Sequence, residues 1–92
     1  MQFDWDEANI LHLARHDITP DEAEQAVLND SVLLASQLVN GEVRFTEVGE
    51  TDNGRILALI TVERGETLRV ITGWNATRPE RLAYLRAVSQ RS

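Results

Sequence analysis

The chain of 92 residues has no cysteine, no lysine and no long apolar run. Without cysteine, neither a disulfide framework nor a thiolate zinc site can form. No stretch approaches the roughly 20 apolar residues that a membrane-spanning helix needs, and the opening MQFDWDEA is acidic where a secretory signal is basic. We therefore expect a cytoplasmic protein without a membrane segment. No phosphate loop, nucleophile elbow or metal-ligand cluster stands in the sequence, so neither a cofactor nor a metal is predicted.

The missing lysine leaves arginine as the source of all nine fixed positive side chains, against 15 acidic residues and a formal net charge of -6. Because affinity for nucleic acid depends on neutralised phosphates, an acidic chain binds RNA only if its arginines gather on one face. The alternative is a set of scattered solubilising charges, which composition alone favours. Length and an apolar content of 42% predict one globular domain over residues 1–92.

Helix-start signals predict three helices. An acidic first turn opens a helix over residues 6 to about 15. A second helix runs from residue 20 to about 29, behind a capping box at Thr19. The same capping logic at Thr77 starts a third helix. The apolar stripe predicted for that last helix consists of Leu82, Ala83, Leu85 and Val88.

The intervening segment has the period of strands. Four of them are predicted as an antiparallel meander, at residues 31–39, 42–48, 55–63 and 67–74. The turn Asn40-Gly41 between the first two is the strongest short-range hairpin signal. In the second strand, Val43 and Phe45 point to a buried face, and Arg44 and Thr46 point to the open one.

The element order predicts an α+β fold of two N-terminal helices, a four-stranded antiparallel meander sheet and a C-terminal helix. A further short strand at residues 2–5 is left open. No repeat, linker or low-complexity segment interrupts this plan.

Several stretches together resemble the BrnT family of bacterial ribonuclease toxins. FDWDEAN is similar to the family's F-x-W-D start, and LARHDITPDEAEQAV to its K-H-G-V-x-x-E-E-A stretch. VRFTEVGET and NGRILALITVERG resemble its R-[FWY]-x-x-[IL]-G and G-R-x-L-x-V strands. LRVITGWNATRPERLAYL resembles its closing I-R-I-I-S-A-R-x-A-x-x-x-E-R-x-x-Y. The order and spacing of these motifs carry the resemblance over nearly the whole chain.

The resemblance implies a RelE-like fold and a type II toxin that cleaves RNA without a metal. It also implies a partner, a ribbon-helix-helix (BrnA-like) antitoxin, and leaves open a homodimer or a toxin–antitoxin heterotetramer. Six residues fall on polar positions of the family pattern, namely His16, Arg44, Arg55, Arg69, Glu80 and Arg81.

Two sites depart from the family pattern. Trp74 and Asn75 stand where it has a basic pair or an arginine, so positive charge is lost where a toxin would contact phosphate. Asp17 replaces a glycine, and we expect it to adopt the left-handed conformation that glycine takes more easily.

The chemistry of RNA cleavage assigns roles to three residues. Cleavage needs a base for the 2'-hydroxyl, cations for the phosphorane and an acid for the leaving oxygen. His16 suits proton transfer, and its alternative role is to cap its helix. Arg44 and Arg69 suit a phosphate clamp, and their alternative is cross-strand pairing with an acid, for which three candidates stand nearby: Glu42, Glu47 and Glu63.

Three further residues, Arg55, Trp74 and Arg81, are predicted to bind RNA, with packing as the alternative fate of the tryptophan. His12 and His16 share a helical face, but the glutamate of a catalytic zinc motif is missing between them. The first functional hypothesis is therefore a ribonuclease toxin held inactive by its antitoxin. The second is a non-catalytic binding module that keeps the fold and the partner surface, a hypothesis that the acidic charge and the Trp74-Asn75 pair favour.

Overall fold

A computed structural model describes residues 1–91. Its elements in chain order are β1 (Gln2–Phe3), α1 (Glu7–Ala14), α2 (Pro20–Leu28), β2 (Val32–Val39), β3 (Glu42–Glu50), β4 (Ile56–Arg64), β5 (Thr67–Asn75) and α3 (Arg78–Ser89). The three helices and four main strands lie where the sequence predicts them, with ends shifted by one or two residues. No helix within residues 1–91 is long and apolar enough to cross a membrane.

Each helix begins at a side chain that caps its first turn. Asp6 accepts the N–H of Asn9 at the start of α1, at 2.8 Å. Complete capping boxes open the other two helices, one at Thr19 and one at Thr77, each with a proline in the first turn. Satisfying these free N–H groups fixes where the helices start, which is why their starts are readable from sequence.

The sheet is mixed and has five strands, in the order β1-β5-β4-β3-β2. Strands β2 to β5 form the predicted antiparallel meander. The prediction of a purely antiparallel four-stranded sheet is wrong in one respect, because Gln2–Phe3 pairs parallel with β5. This strand is too short to carry a pattern of its own, and its pairing is decided by the burial of Phe3 beside Leu68.

Helices cover both faces of the sheet. On one face α1 and α2 bury a core with β4 and β5, made of Leu13, Ile18, Ala23, Ala26, Val27, Leu57, Leu59, Leu68 and Val70. On the other face α3 lies over a row that crosses four strands, made of Val32, Val48, Ala58 and Trp74. Tyr84 and Ala87 of α3 pack on this row. Burying apolar surface on both faces is the main stabilisation of a sheet of this size.

The apolar stripe predicted for α3 does not face the sheet, so this prediction is wrong. Leu82, Leu85 and Val88 are exposed, and the helix instead buries Tyr84. Glu80 lies in the first turn of α3 and accepts a hydrogen bond from Trp74. The side of the helix that faces the sheet therefore carries Glu80, Tyr84 and Ala87, which are spaced by about one helical turn. The apolar pattern alone did not distinguish a core-facing stripe from an exposed one.

Candidate functional site

Three of the predicted RNA-binding residues converge on the end of β5. The guanidinium of Arg55 donates to Asn75 Oδ1 at 3.0 Å, and that of Arg81 donates to the carbonyl of Ala76 at 2.8 Å. Trp74 lies on β5 directly before Asn75. We name the group of His16, Arg55, Trp74, Asn75 and Arg81 the β5-end cluster.

Arg55 is the hub of this cluster. Besides Asn75, its guanidinium donates to the carbonyl of Asp17 at 2.9 Å and to Glu22 Oε2 at 2.7 Å. The side chain therefore joins the α1–α2 corner to the ends of β4 and β5. The N–H of Thr19 and the guanidinium of Arg55 hold the pKa of the Glu22 carboxyl below its ordinary value.

His16 reaches the cluster through the same corner. It lies exposed one residue past Arg15, the C-cap of α1, and its backbone N–H donates to Leu13. Asp17 next to it has a φ of 58°, the left-handed conformation expected where the family pattern has glycine. The carbonyl of Asp17 binds Arg55, so the residue that follows His16 is in contact with the guanidinium.

Trp74 is held by packing and by one hydrogen bond. Its ring packs beside the core row under α3, and its indole N–H donates to Glu80 Oε1 at 3.0 Å. Burial acts to raise the pKa of Glu80, but hydrogen bonds from Thr77 and Trp74 outweigh it, so the pKa lies below its ordinary value. A half-buried ring with a satisfied N–H is bound into the fold, as the packing alternative predicts.

Arg44 and Arg69 lie on one face of the sheet but away from the cluster. Arg69 pairs with Val62 on β4, and Arg44 stands one position beyond the Phe45–Thr61 pair, so Val62 lies between them. Two strand spacings separate the arginines by about 10 Å.

The two arginines differ in their partners. Arg69 is 19% exposed and contacts both Asp4, at 3.1 Å, and Asp6. Its hydrogen bonds to Asp6 and then Asp4 raise its pKa. Arg44 is 37% exposed and has only Glu42 Oε1 nearby, at 4.0 Å, and its buried Nε has no hydrogen-bond partner among the described residues.

The acids predicted as alternative partners of these arginines are used differently. Glu42 contacts Arg64 across the hairpin at 3.1 Å. Glu47 accepts hydrogen bonds from the hydroxyls of Ser31 and Thr61. Arg69 pairs with Asp4 and Asp6, which lie far from it in sequence, so no strand register pointed to them.

The predicted catalytic trio is not gathered into one place. Asp6, at the start of α1, holds Arg69, whereas His16 follows the end of the same helix. The eight residues of α1 at 1.5 Å each separate its two ends by about 12 Å along the helix axis. The structure thus forms a β5-end cluster with His16 and a separate row with Arg44 and Arg69.

Sequence reasoning missed the contacts that hold the predicted residues in place. Asn75 binds Arg55, Glu22 binds it from α2, and Glu80 binds Trp74. Both glutamates were visible as third residues of capping boxes, a signal for helix starts and not for sites. Within residues 1–91, no group of three or more histidine, aspartate or glutamate side chains is placed to hold a metal ion.

Comparison with known proteins assigns the chain to a family. No curated protein matches it. Residues 5–80 match the model of a family described as the ribonuclease toxin BrnT of type II toxin–antitoxin systems. This range contains His16, Arg55 and Trp74 of the β5-end cluster and both arginines of the sheet row. The match spans most of the chain, and the protein therefore belongs to the BrnT family of ribonuclease toxins.

Proposed function

We propose that this protein is an endoribonuclease toxin that cleaves RNA without a metal ion and is neutralised by a ribbon-helix-helix antitoxin. Membership of the BrnT family supports the ribonuclease and toxin parts of the proposal. The metal-independent mechanism is argued from the residue chemistry at the end of β5, and the type of antitoxin is what the family resemblance implies. The observation that supports this mechanism is the contact of the Arg55 guanidinium with the carbonyl of Asp17, the residue next to the exposed His16.

In this proposal the β5-end cluster performs the chemistry. His16 accepts the proton of the attacking 2'-hydroxyl as general base and returns it to the leaving 5'-oxygen as general acid, the role that histidine most often has in such catalysis. Arg55 and Arg81 place positive charge where the phosphorane develops, and planar guanidinium groups bind phosphate oxygens in pairs. Their present acceptors are one neutral amide and two backbone carbonyls, besides Glu22, and phosphate replaces the neutral ones.

Arg44 and Arg69 are proposed to bind the RNA backbone away from the scissile bond. Their spacing of about 10 Å across the sheet is too wide for one phosphate group and suits neighbouring phosphates of an extended strand. Arg44 has the more available guanidinium, since Arg69 already contacts two carboxylates.

The proposal is tested by comparing two histidine variants. His12 and His16 are both exposed, four residues apart, so His12→Gln is a matched control for His16→Gln. We expect the purified protein to cleave RNA in excess EDTA, and His16→Gln to cleave at least about 100-fold more slowly, the usual contribution of proton transfer. His12→Gln is expected to cleave like the wild type.

Expression in bacteria gives the second readout. Inducing the protein without an antitoxin is expected to stop growth and to degrade RNA, and His16→Gln is expected to remove both effects. Normal growth with intact RNA at high expression, or equal cleavage by the two histidine variants, contradicts the proposed mechanism.

One observation favours the second hypothesis, a binding module without nuclease activity. Arg55 and Arg69 are both held in ion pairs within the fold, on a chain whose net charge is -6. Under this hypothesis the arginines are structural, and RNA remains intact under all conditions. Cleavage that is lost in an Arg44→Ala, Arg69→Ala double variant that still folds rules it out.

A further inference from the structure

One part of the sheet is left uncovered on the face that carries α1 and α2. Leu33 and Leu38 of β2 are 57% and 70% exposed, and Val43 of β3 is also exposed. Phe45 beside them is half-buried. These four residues, which we name the hairpin patch, share a face because Leu38 pairs with Val43 and Leu33 pairs with Glu47.

The sequence pattern of β3 is that of a covered strand. Its alternation predicts that Val43 and Phe45 are buried, yet Val43 is 47% exposed and Phe45 is only half-buried. Farther along the same strand, α2 closes over Gly49, where an added Cβ would lie only 1.9 Å from the carbonyl oxygen of Ala26. The strand is therefore covered at one end and open at the other.

A groove runs along the open end. It has a volume of about 470 Å³ and is lined by Gly41, Glu42, Val43, Phe45 and Glu63. A smaller groove of about 100 Å³ shares Glu63 and continues to the β4–β5 turn at Glu66. From β2 to β4 the surface is two strand spacings wide, about 10 Å, which matches the diameter of one α-helix.

The rim of the patch is acidic and only partly neutralised. Glu42 has Arg64 at 3.1 Å, but Glu47 and Glu63 have no arginine within 4.0 Å in the described chain. The adjacent edge strand β2, VLLASQLV, carries no charged residue of either sign. Neither lysine nor proline protects this edge, and exposed apolar surfaces of this kind commonly mark contact sites.

We propose that the hairpin patch binds a basic amphipathic helix of a partner protein. The apolar side of such a helix covers Leu38, Val43 and Phe45, and its basic flanks lie against Glu47 and Glu63. A basic helix fits better than a second copy of this chain, because each copy carries a net charge of -6 and the same acidic rim. Identifying this partner as the antitoxin rests on the proposed function. The binding of a basic amphipathic helix to the patch does not depend on that function.

A labelled 14-residue helical peptide tests the proposal. The probe has leucine at the positions of one helical face and lysine elsewhere, and its control has glutamate in place of every lysine. We expect the wild-type protein to bind the lysine peptide at least tenfold more tightly than the glutamate peptide by fluorescence anisotropy. Binding is also expected to weaken with added salt.

Surface variants locate the binding site. Leu38→Ser with Val43→Ser is expected to weaken binding of the lysine peptide at least tenfold, and Glu63→Gln is expected to weaken it severalfold. Leu11→Ser is the matched control, since Leu11 is 54% exposed on α1, and Glu7→Gln is the control for charge. Because all these side chains are exposed or at the rim, the variants are expected to keep the wild-type thermal transition.

The outcomes separate this inference from the proposed function. Equal binding by the patch and control variants overturns the inference, as does equal binding of the two peptides. Sedimentation of the protein alone as a dimer that Leu38→Ser dissociates also overturns it, because a second copy would then cover the patch. RNA cleavage is measured on the same variants, so a protein that binds the peptide without cleaving RNA contradicts only the proposed function.

Discussion

The indole N–H of Trp74 and the backbone N–H of Thr77 donate to the same oxygen, Oε1 of Glu80, at 3.0 and 2.8 Å. Trp74 is the second-last residue of β5 and Glu80 lies in the first turn of α3, so one carboxylate joins the two elements. The position at which the resemblance leads us to expect an arginine is thus occupied by a structural contact. The neighbouring Asn75 has a similar role toward Arg55.

The contact between Trp74 and Glu80 predicts the effect of two substitutions. Trp74→Phe keeps the packing and loses the hydrogen bond, so we expect the free energy of unfolding to fall by about 1 kcal/mol. Trp74→Arg also removes the apolar ring from the core row, and we expect a loss of about 2 kcal/mol or more. Urea denaturation measures both, with Leu82→Ala on the exposed side of α3 as a control.

The opposite result for Trp74→Arg has a clear meaning. An arginine variant as stable as the wild type, with higher affinity for RNA, indicates that the ring is dispensable to the fold. The departure from the family pattern would then concern RNA contact rather than the joint between strand and helix.

Arg55 is predicted to be the most important arginine for stability. Its guanidinium has three acceptors on different elements, Asp17, Glu22 and Asn75. We expect Arg55→Ala to lower the free energy of unfolding by about 2 kcal/mol, the range for hydrogen bonds to charged groups. Arg55→Lys is expected to recover only part of this, because an ammonium group cannot reproduce the planar fork.

Arg86→Ala is the matched control, since Arg86 is an exposed arginine on α3. If Arg55→Ala and Arg86→Ala unfold at the same urea concentration, the hub contributes nothing to the fold. Measuring both RNA cleavage and stability of Arg55→Ala shows whether Arg55 acts on the substrate itself. A variant that is stable but does not cleave RNA has lost a chemical role.

The close approach of α2 to the sheet predicts that only glycine is tolerated at position 49. A Cβ there would lie 1.9 Å from the carbonyl oxygen of Ala26, a backbone atom that cannot move away alone. We expect Gly49→Ala to prevent folding or to lower the melting temperature by more than about 10 °C, since overpacking of this kind costs several kcal/mol. Gly65→Ala is the comparison, because no atom stands near a Cβ at that turn and only its φ of 61° is strained.

The sequence predicted local structure well because local signals determine it. Capping boxes at Thr19 and Thr77 set two helix starts, and the Asn40-Gly41 turn set the first hairpin, with both turn residues at positive φ. The parallel strand β1 escaped firm prediction because two residues carry no period. The exposed side of α3 escaped it because Leu82 and Leu85 have the spacing of a core stripe without its burial.

The site was less predictable, because its geometry depends on contacts between residues far apart in sequence. Arg69 binds acids 63 and 65 positions away, and Arg55 binds a glutamate 33 positions away. Family resemblance selects which arginines matter, but it does not say which of them the fold neutralises. Only the three-dimensional structure shows that Arg44 has one distant carboxylate near it, whereas Arg69 forms ion pairs with two.

The lowered carboxyl pKa values predict how stability depends on pH. Hydrogen bonds from Asn9 and then Arg69 lower the pKa of Asp6, and the Thr19 N–H and Arg55 lower that of Glu22. As pH falls, the unfolded chain takes up these protons first, at its ordinary carboxyl pKa values near 4, so protonation favours unfolding. The stabilisation is therefore fully present above about pH 5 and is lost as the pH falls further, through the lowered folded-state values.

We expect the urea midpoint to be nearly constant from pH 7 to 5 and to fall steeply toward pH 3. Asp6→Asn removes one of the shifted carboxyls and its contact with Arg69, so this variant is expected to be less stable at pH 7 and to lose less on acidification. Glu66→Gln, at an exposed turn, is the control and is expected to follow the wild type. A midpoint for Asp6→Asn that falls as much as that of the wild type would show that the Asp6–Arg69 contact does not set the acid limit of this fold.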